Sequence, residues 1–277
     1  MCGLSAIFAY GAKAPLVDHL ELDTISDHMS ARGPDGEGQW FSKDRKVGFA
    51  HKRLAIIDTS EHGAQPMALW DNNGLERLVI TYNGEIYNFK VLRQELVEQG
   101  HQLKTRSDTE VLLHLYDRYG TDMVKKLRGM YAFVIWDKSR KGLFMARDPF
   151  GIKPLYYSDD GATIRIASQV KALLAGKRVG HAPEPAGHVG FFLLGYVPEP
   201  HTLFADIKSL SSGSSLWLEE GGGRNHNTFF DARIYLASKD PHPERGDNSS
   251  QLRAALISSV RDHFVSDVPV GLFLSAG

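Results

Sequence analysis

The apolar runs at residues 131–136 and 142–146, separated only by Asp137-Lys138-Ser139-Arg140-Lys141, constrain the fold of this chain more than any other feature. So short a connection can return the chain only to an adjacent antiparallel strand, because a parallel partner needs a crossover of about a dozen residues or more. Runs of strand character recur at 4–8, 47–50, 78–82, 155–157 and 164–167. Helical patterns lie between them. Residues 18–29 place Leu20, Leu22, Ile25 and Met29 on one stripe before the turn-rich Arg32-Gly33-Pro34-Asp35-Gly36. Residues 89–98 carry Leu92 and Leu96 behind Asn88, an N-cap candidate. Ser107-Asp108-Thr109-Glu110 reads as a capped helix start, followed by Val111, Leu112, Leu115 and Tyr119, with Gly120 as the stop. Hairpin-joined strands with helices between them predict an α+β fold of antiparallel sheets under helical cover rather than a parallel α/β sheet.

After Gly187 the texture changes to a Phe191-Phe192-Leu193-Leu194 run, a Pro198-Glu199-Pro200 turn, an apolar stretch at 215–218, Gly221-Gly222-Gly223 and a polar, linker-like segment at 238–250. Leu252, Leu256, Val260 and Phe264 then recur at spacing four, as on a short amphipathic helix. The apolar run 268–274, leading into Ser275-Ala276-Gly277, reads as a strand of the kind buried on both faces of a parallel sheet. Three regions are therefore expected: a main domain over 2–210, a hairpin and linker over 211–247, and the start of a second domain over 248–277. Lacking neighbouring strands, residues from about 231 onward are expected to pack poorly or to promote association.

The 277 residues are 42% hydrophobic and 23% charged, enough for one large core or one core and part of a second. Lys and Arg (32) balance Asp and Glu (33), and no basic run interleaves with aromatics, so neither a nucleic acid nor a membrane surface is expected as partner. No apolar stretch reaches the ~18 residues of a membrane-spanning helix. A single cysteine cannot form an internal disulfide, and Met1-Cys2-Gly3 does not open a signal peptide, so a reducing, cytoplasmic location is expected. No metal-ligating set stands out.

That cysteine, Cys2, has two readings. It is either a small buried apolar residue opening a strand or, once Met1 is removed, a thiol on the same residue as a free α-amine. An α-amine titrates near pH ~7.7–8.0 and can take and return a proton, so one residue would be nucleophile and base together. Gly3 leaves the thiol unshielded. Three other positions are equally two-sided. Asn83-Gly84 forms a turn, or aims a side-chain amide and a backbone N–H at one oxygen, as an oxyanion hole requires. Arg53 is a solvated strand end or a fork for a carboxylate. Asp108 caps a helix or holds an ammonium group.

Met1-Cys2-Gly3, Arg32-Gly33-Pro34-Asp35, Arg53-Leu54-Ala55-Ile56-Ile57-Asp58, Tyr82-Asn83-Gly84-Glu85-Ile86-Tyr87-Asn88, Ser107-Asp108-Thr109-Glu110 and Ala146-Arg147-Asp148-Pro149-Phe150-Gly151-Ile152-Lys153-Pro154-Leu155-Tyr156 occur together and in this order. The set resembles the glutamine-hydrolysing asparagine synthetases, whose N-terminal half is a class II glutamine amidotransferase of the N-terminal-nucleophile fold, and the likeness runs nearly the whole chain. It implies a four-layer αββα sandwich of two antiparallel sheets, with a C-terminal stub of an α/β ATP-pyrophosphatase-type domain.

The same resemblance implies that Cys2 attacks the side-chain amide of glutamine and releases ammonia, with its own amine as base. Asn83 and the Gly84 N–H would form the oxyanion hole, Arg53 would bind the substrate carboxylate, and Asp108 with Glu85 and the Gly84 backbone would hold its α-amine. Leu54, Ala55, Ile56 and Ile57 would line the pocket. Arg147-Asp148 through Tyr156, physically a strand exit and turn, is taken as structural.

In a complete enzyme of the family, ATP and Mg serve aspartyl-adenylate formation, and a homodimer is the implied assembly. Here Leu274 and Ser275 would be only a remnant of the ATP loop, since no helix follows to supply N–H groups and a dipole, and no ATP binding is expected. Departures are Ala276 for glycine, Ser212 where a Pro-Gly turn is usual, and Gln169 for an acidic residue. An amidotransferase serving a sugar, polysaccharide precursor or other acceptor, and a non-catalytic module, are the alternatives.

Overall fold

The computed structural model describes residues 1–71, 73–237 and 249–274. In chain order the elements are β1 (Gly3–Ala9), α1 (His19–Asp27), β2 (Gly36–Phe41), β3 (Val47–Arg53), β4 (Met67–Trp70), β5 (Glu76–Ile86), α2 (Phe89–Glu98), α3 (Asp108–Tyr119), β6 (Gly129–Asp137) and β7 (Gly142–Arg147). They continue with β8 (Tyr156–Asp159), β9 (Thr163–Ala167), α4 (Val170–Ala175), α5 (Pro185–Leu194), β10 (Lys208–Ser209), β11 (Ser214–Glu219), β12 (Arg224–Thr228), α6 (Ala232–Ala237) and α7 (Ser249–Asp262). Two six-stranded sheets result, ordered β10-β8-β9-β1-β3-β2 and β12-β11-β7-β6-β5-β4. Every pairing between named strands is antiparallel. The β6–β7 hairpin closes at Asp137 opposite Gly142, with Lys141 in the left-handed region at φ 47°.

Strand alternation makes the layers. Leu4, Ala6 and Phe8 of β1 face Ala132, Val134 and Trp136 of β6 in the core between the sheets, where the Phe8 and Trp136 rings meet edge-on at 5.1 Å. The other face of β1 sends Ile7 and Ala9 against Leu22, Ile25 and Leu173 on α1 and α4. On the second sheet, Tyr131, Phe133 and Ile135 pack under Leu92 and Leu96 of α2 and Val111, Leu112 and Leu115 of α3. The order is helix, sheet, sheet, helix, the αββα sandwich expected. Each large side chain buried here contributes about 1.5–3 kcal/mol.

Several local expectations need correction. The strand expected at 78–82 extends through Ile86, so Asn83 and Gly84 are sheet residues and not a turn. Asn88 makes no capping bond to α2; its side chain donates to the Lys126 carbonyl (2.9 Å) and accepts from the Arg128 N–H (2.9 Å), tying two segments together. Residues 268–274 form no strand: among the described residues they have no partner to supply ladder bonds, and Leu272, Phe273 and Leu274 are exposed. Ser275, Ala276 and most of the 238–250 linker lie outside the described residues. The amphipathic helix forms as α7, with Leu252, Leu256 and Val260 exposed.

The segment that follows α7 is nevertheless docked. Asp262 pairs with Arg128 (2.9 Å), the His263 ring lies 5.0 Å from that of Tyr87, and Val265 packs on the core under α2 and α3.

Candidate active site

The ends of β1, β3 and β5 converge at one edge of the sandwich. Cys2 immediately precedes β1, and the thiol sits against the start of the loop leaving β3: it donates to the Leu54 carbonyl (3.5 Å) and accepts from the Leu54 N–H (3.3 Å). Burial pushes its pKa up. It opens on a cavity of about 40 Å³, which Met1, Arg53, Leu54, Ile56, Ile57, Asn83, Gly84, Glu85 and Asp108 also line. The structure thus brings together all the site residues expected near Cys2 except Ala55, whose N–H turns away to Asp35 (2.9 Å). Leu274 takes no part in the cavity and Ser275 lies outside the described residues.

Along β5, alternate backbone groups face the cavity. The Tyr82 N–H donates to Gln65 Oε1 (2.7 Å) and its carbonyl accepts from His51 Nε2 (3.0 Å), so both point away from β6. Gly84, two residues on, points the same way. Opposite it, the Tyr131 carbonyl and N–H are both engaged by Asp148 (2.8 and 3.2 Å) rather than by Gly84. β4 begins only at Met67, opposite Ile80, so among the described residues no strand covers the Gly84 N–H. Beside it, Asn83 is 1% exposed and its Nδ2 has no hydrogen-bond partner among the described residues. A buried donor without a partner costs about 1–3 kcal/mol, which a ligand acceptor would relieve. A side chain at position 84 would strike the Met130 carbonyl and Tyr131, so only glycine fits this approach.

Charge surrounds these donors. Ser107 caps α3 through the Thr109 N–H (3.1 Å), which leaves the Asp108 carboxylate free to turn inward. There Oδ2 accepts from the Ile86 N–H (3.0 Å) and the Tyr82 hydroxyl (2.9 Å), while burial raises its pKa to about 6. Burial also raises the Glu85 carboxyl and lowers the Lys153 ammonium, each opposed by attraction to the other. Arg53 extends across the loop leaving β3, its guanidinium donating to the carbonyls of Ser60 (2.7 Å) and Asp58, in space that Gly63 leaves clear.

Lys153, Gln65 and Gly63 also line the cavity and were not singled out in the sequence. Lys153 carried a signal, as the end of the Asp148-Pro149-Phe150-Gly151-Ile152-Lys153 stretch. Asp148 gathers the N–H groups of Phe150, Ile152 and Lys153 (3.1, 3.0 and 2.9 Å), a knot that delivers the lysine to the cavity.

Residues 1–230 match the glutamine amidotransferase domain family. The chain belongs to this family. Over its whole length this amidotransferase is 40% identical to asparagine synthetase [glutamine-hydrolyzing] 1 and 36% identical to asparagine synthetase [glutamine-hydrolyzing] 3, both of Bacillus subtilis. It covers 42% and 44% of those proteins, so the chain spans less than half the length of these relatives. Among solved structures, glutamine phosphoribosylpyrophosphate amidotransferase of B. subtilis shares the fold at a TM-score of 0.59 and 23% identity, over 82% of this chain and 49% of the other. The amidotransferase fold therefore holds in a protein whose sequence has diverged widely, while the synthetase relatives resemble this amidotransferase domain from end to end.

Proposed function

We propose that this chain is the glutaminase portion of an asparagine synthetase-like enzyme, in which Cys2, after loss of Met1, hydrolyses glutamine and releases ammonia. The observation that carries the reading is the pair of open donors, Asn83 Nδ2 and the Gly84 N–H, beside the only thiol of the chain. Met1 is half exposed and lines the cavity, which with Met1 in place has room for about one water. Its removal frees the amine and widens the cavity together.

The Cys2 thiol passes its proton to the α-amine and its sulfur adds to the side-chain carbonyl carbon of glutamine. Asn83 and Gly84 hold the resulting oxyanion. The carbon–nitrogen bond breaks as the amine returns the proton to the departing nitrogen, leaving ammonia and a γ-glutamyl thioester. Water then attacks the thioester to give glutamate and restore the thiol. Arg53 binds the substrate carboxylate and Asp108 with Glu85 its ammonium. In the complete enzyme the ammonia attacks an aspartyl-adenylate formed with ATP and Mg by the remaining half, of which residues 248–277 are the start. A cytoplasmic, reducing compartment suits a catalytic thiol.

Glutamate release by the wild type and by Cys2→Ala, with intact mass to establish that Met1 is absent, tests the reading. Release only by the processed wild type is expected. Equal release by the two proteins would overturn it.

A further inference from the structure

Asp267 lies in the segment after α7, far along the chain from the cavity, yet it brackets the loop that leaves β3. Its N–H donates to the Ile56 carbonyl (2.9 Å) and its Oδ2 accepts from the Asp58 N–H (2.8 Å). Ile56 and Ile57, spanned by these two bonds, line the cavity, and Asp58 next to them sets Arg53. The Asp58 carbonyl receives the Arg53 guanidinium, and the Asp58 carboxylate accepts from Ser60 Oγ (2.5 Å) and the Arg106 N–H (3.0 Å). Asp58 has φ 50°, a left-handed conformation that aspartate reaches through local side-chain hydrogen bonds, here to Ser60, and that the longer-range contacts around it reinforce. The other groups around Asp58 belong to the end of β3, to the loop or to its neighbour before α3. Asp267 alone among these bonds comes from the C-terminal segment, itself pinned through Asp262 and His263.

We infer that Asp267 is a positioning residue for Arg53: it fixes Asp58, Asp58 fixes the guanidinium, and the region C-terminal to α7 is thereby coupled to the clamp for the substrate carboxylate. This rests on the glutaminase reading above. The coupling gives that region a means of tightening or loosening glutamine binding without touching the thiol, because Cys2 precedes β1 and Asn83 and Gly84 stand on β5, whereas the hydrogen bonds of Asp267 go to the loop that leaves β3.

The test is steady-state glutamine hydrolysis by the full chain carrying Asp267→Ala or Asp267→Asn. Asp267 is exposed, so neither change disturbs the core. Asp267→Ala is expected to raise the glutamine KM about tenfold, the scale of one lost hydrogen bond to a charged group, with kcat within about twofold of wild type. Asp267→Asn, which keeps an acceptor for the Asp58 N–H, is expected to restore most of the loss. An unchanged KM in Asp267→Ala, or a fall in kcat that Asp267→Asn does not rescue, would overturn the assignment while leaving the glutaminase reading intact. Absence of hydrolysis by the processed wild type, with no glutamine binding by Cys2→Ala in calorimetry, would overturn both.

Discussion

Two cavities on the same sheet teach opposite lessons about what makes a site. The larger, about 870 Å³, lies between the edge strand β4 and α3 and is lined by Trp70, Arg77, His101, Glu110, His114 and Asp117 among others. Its charges answer one another. Arg77 pairs with Asp117, Glu110 takes the N–H groups of Lys104 and Thr105 (both 2.7 Å), and His101 meets His114 through their Nδ1 atoms (3.1 Å). The smaller, about 40 Å³, holds the thiol, two open donors and a carboxyl raised by burial. Large apolar pockets are the usual place to look for chemistry. Here unpaired groups converging on a nucleophile are the better guide, because donors left open beside a thiol have a reacting atom to serve, which an isolated unpartnered group does not.

The contrast breaks first at Asn83. If its orphaned amide serves a developing oxyanion, Asn83→Ala lowers kcat for glutamine hydrolysis by about 10²–10³ with little change in KM. A change confined to KM would remove it from the oxyanion hole. Arg53→Ala comes next, raising KM by about 10–100-fold with a smaller effect on kcat, as expected for a charge-assisted contact made equally in ground and transition states. A KM within twofold of wild type would show that the guanidinium serves only the Ser60 and Asp58 carbonyls.

The sequence revealed the sandwich better than its edges, and the site better than its environment. The β6–β7 hairpin and the stripes of α1 to α3 were legible because alternation and helical spacing record which face is buried, with the exception of Leu20, which lies exposed at the start of α1. β12, Arg224–Thr228, carries no apolar residue and lies exposed at a sheet edge, so no periodicity marks it. Residues 268–274 show the converse: an apolar run specifies a strand only where neighbours complete its ladder. At the site, Asn83 and Gly84 read as turn formers because their types favour turns, whereas the structure keeps them inside β5 for a free amide and a missing side chain. Lys153, within the stretch that reads as a structural strand exit and turn, lines the cavity for a reason its residue type does not record. Its sequence neighbours form a turn, and only the folded chain shows that the ammonium is buried against Glu85 and Cys2.

A smaller effect is expected at Asp108. Burial places its pKa at about 6, above the ~3.9 of an unfolded aspartate. Its own contribution to stability is therefore fully present below pH ~3.9 and is lost as pH rises through about 6, so the site is held charged at neutrality at the expense of the fold. Substrate binding runs the other way, since an ammonium group needs the carboxylate. The glutamine KM is expected to rise as pH falls through about 6, and Asp108→Asn to raise KM at neutral pH and weaken that dependence, leaving the part that Glu85 carries. A KM profile through this range that is the same in both proteins would detach Asp108 from the substrate.

The smallest effect belongs to the larger cavity. His114 is buried, its Nε2 has no partner among the described residues, and desolvation lowers its pKa from 6.5 against the attraction of Glu110 and Asp117, with His101 and Arg93 adding to the depression. A histidine held neutral in this way contributes stability that is present above pH ~6.5 and is lost as pH falls toward its depressed folded value. His114→Phe removes the orphaned nitrogen together with the bond to His101. It is expected to leave kcat/KM for glutamine within about twofold of wild type, the scale of substitutions away from a site, while weakening the dependence of the thermal midpoint on pH below 6.5. A loss of glutamine turnover comparable to that of Asn83→Ala would mean that the larger cavity also takes part in the chemistry, and the convergence of open donors on a thiol would no longer separate the two.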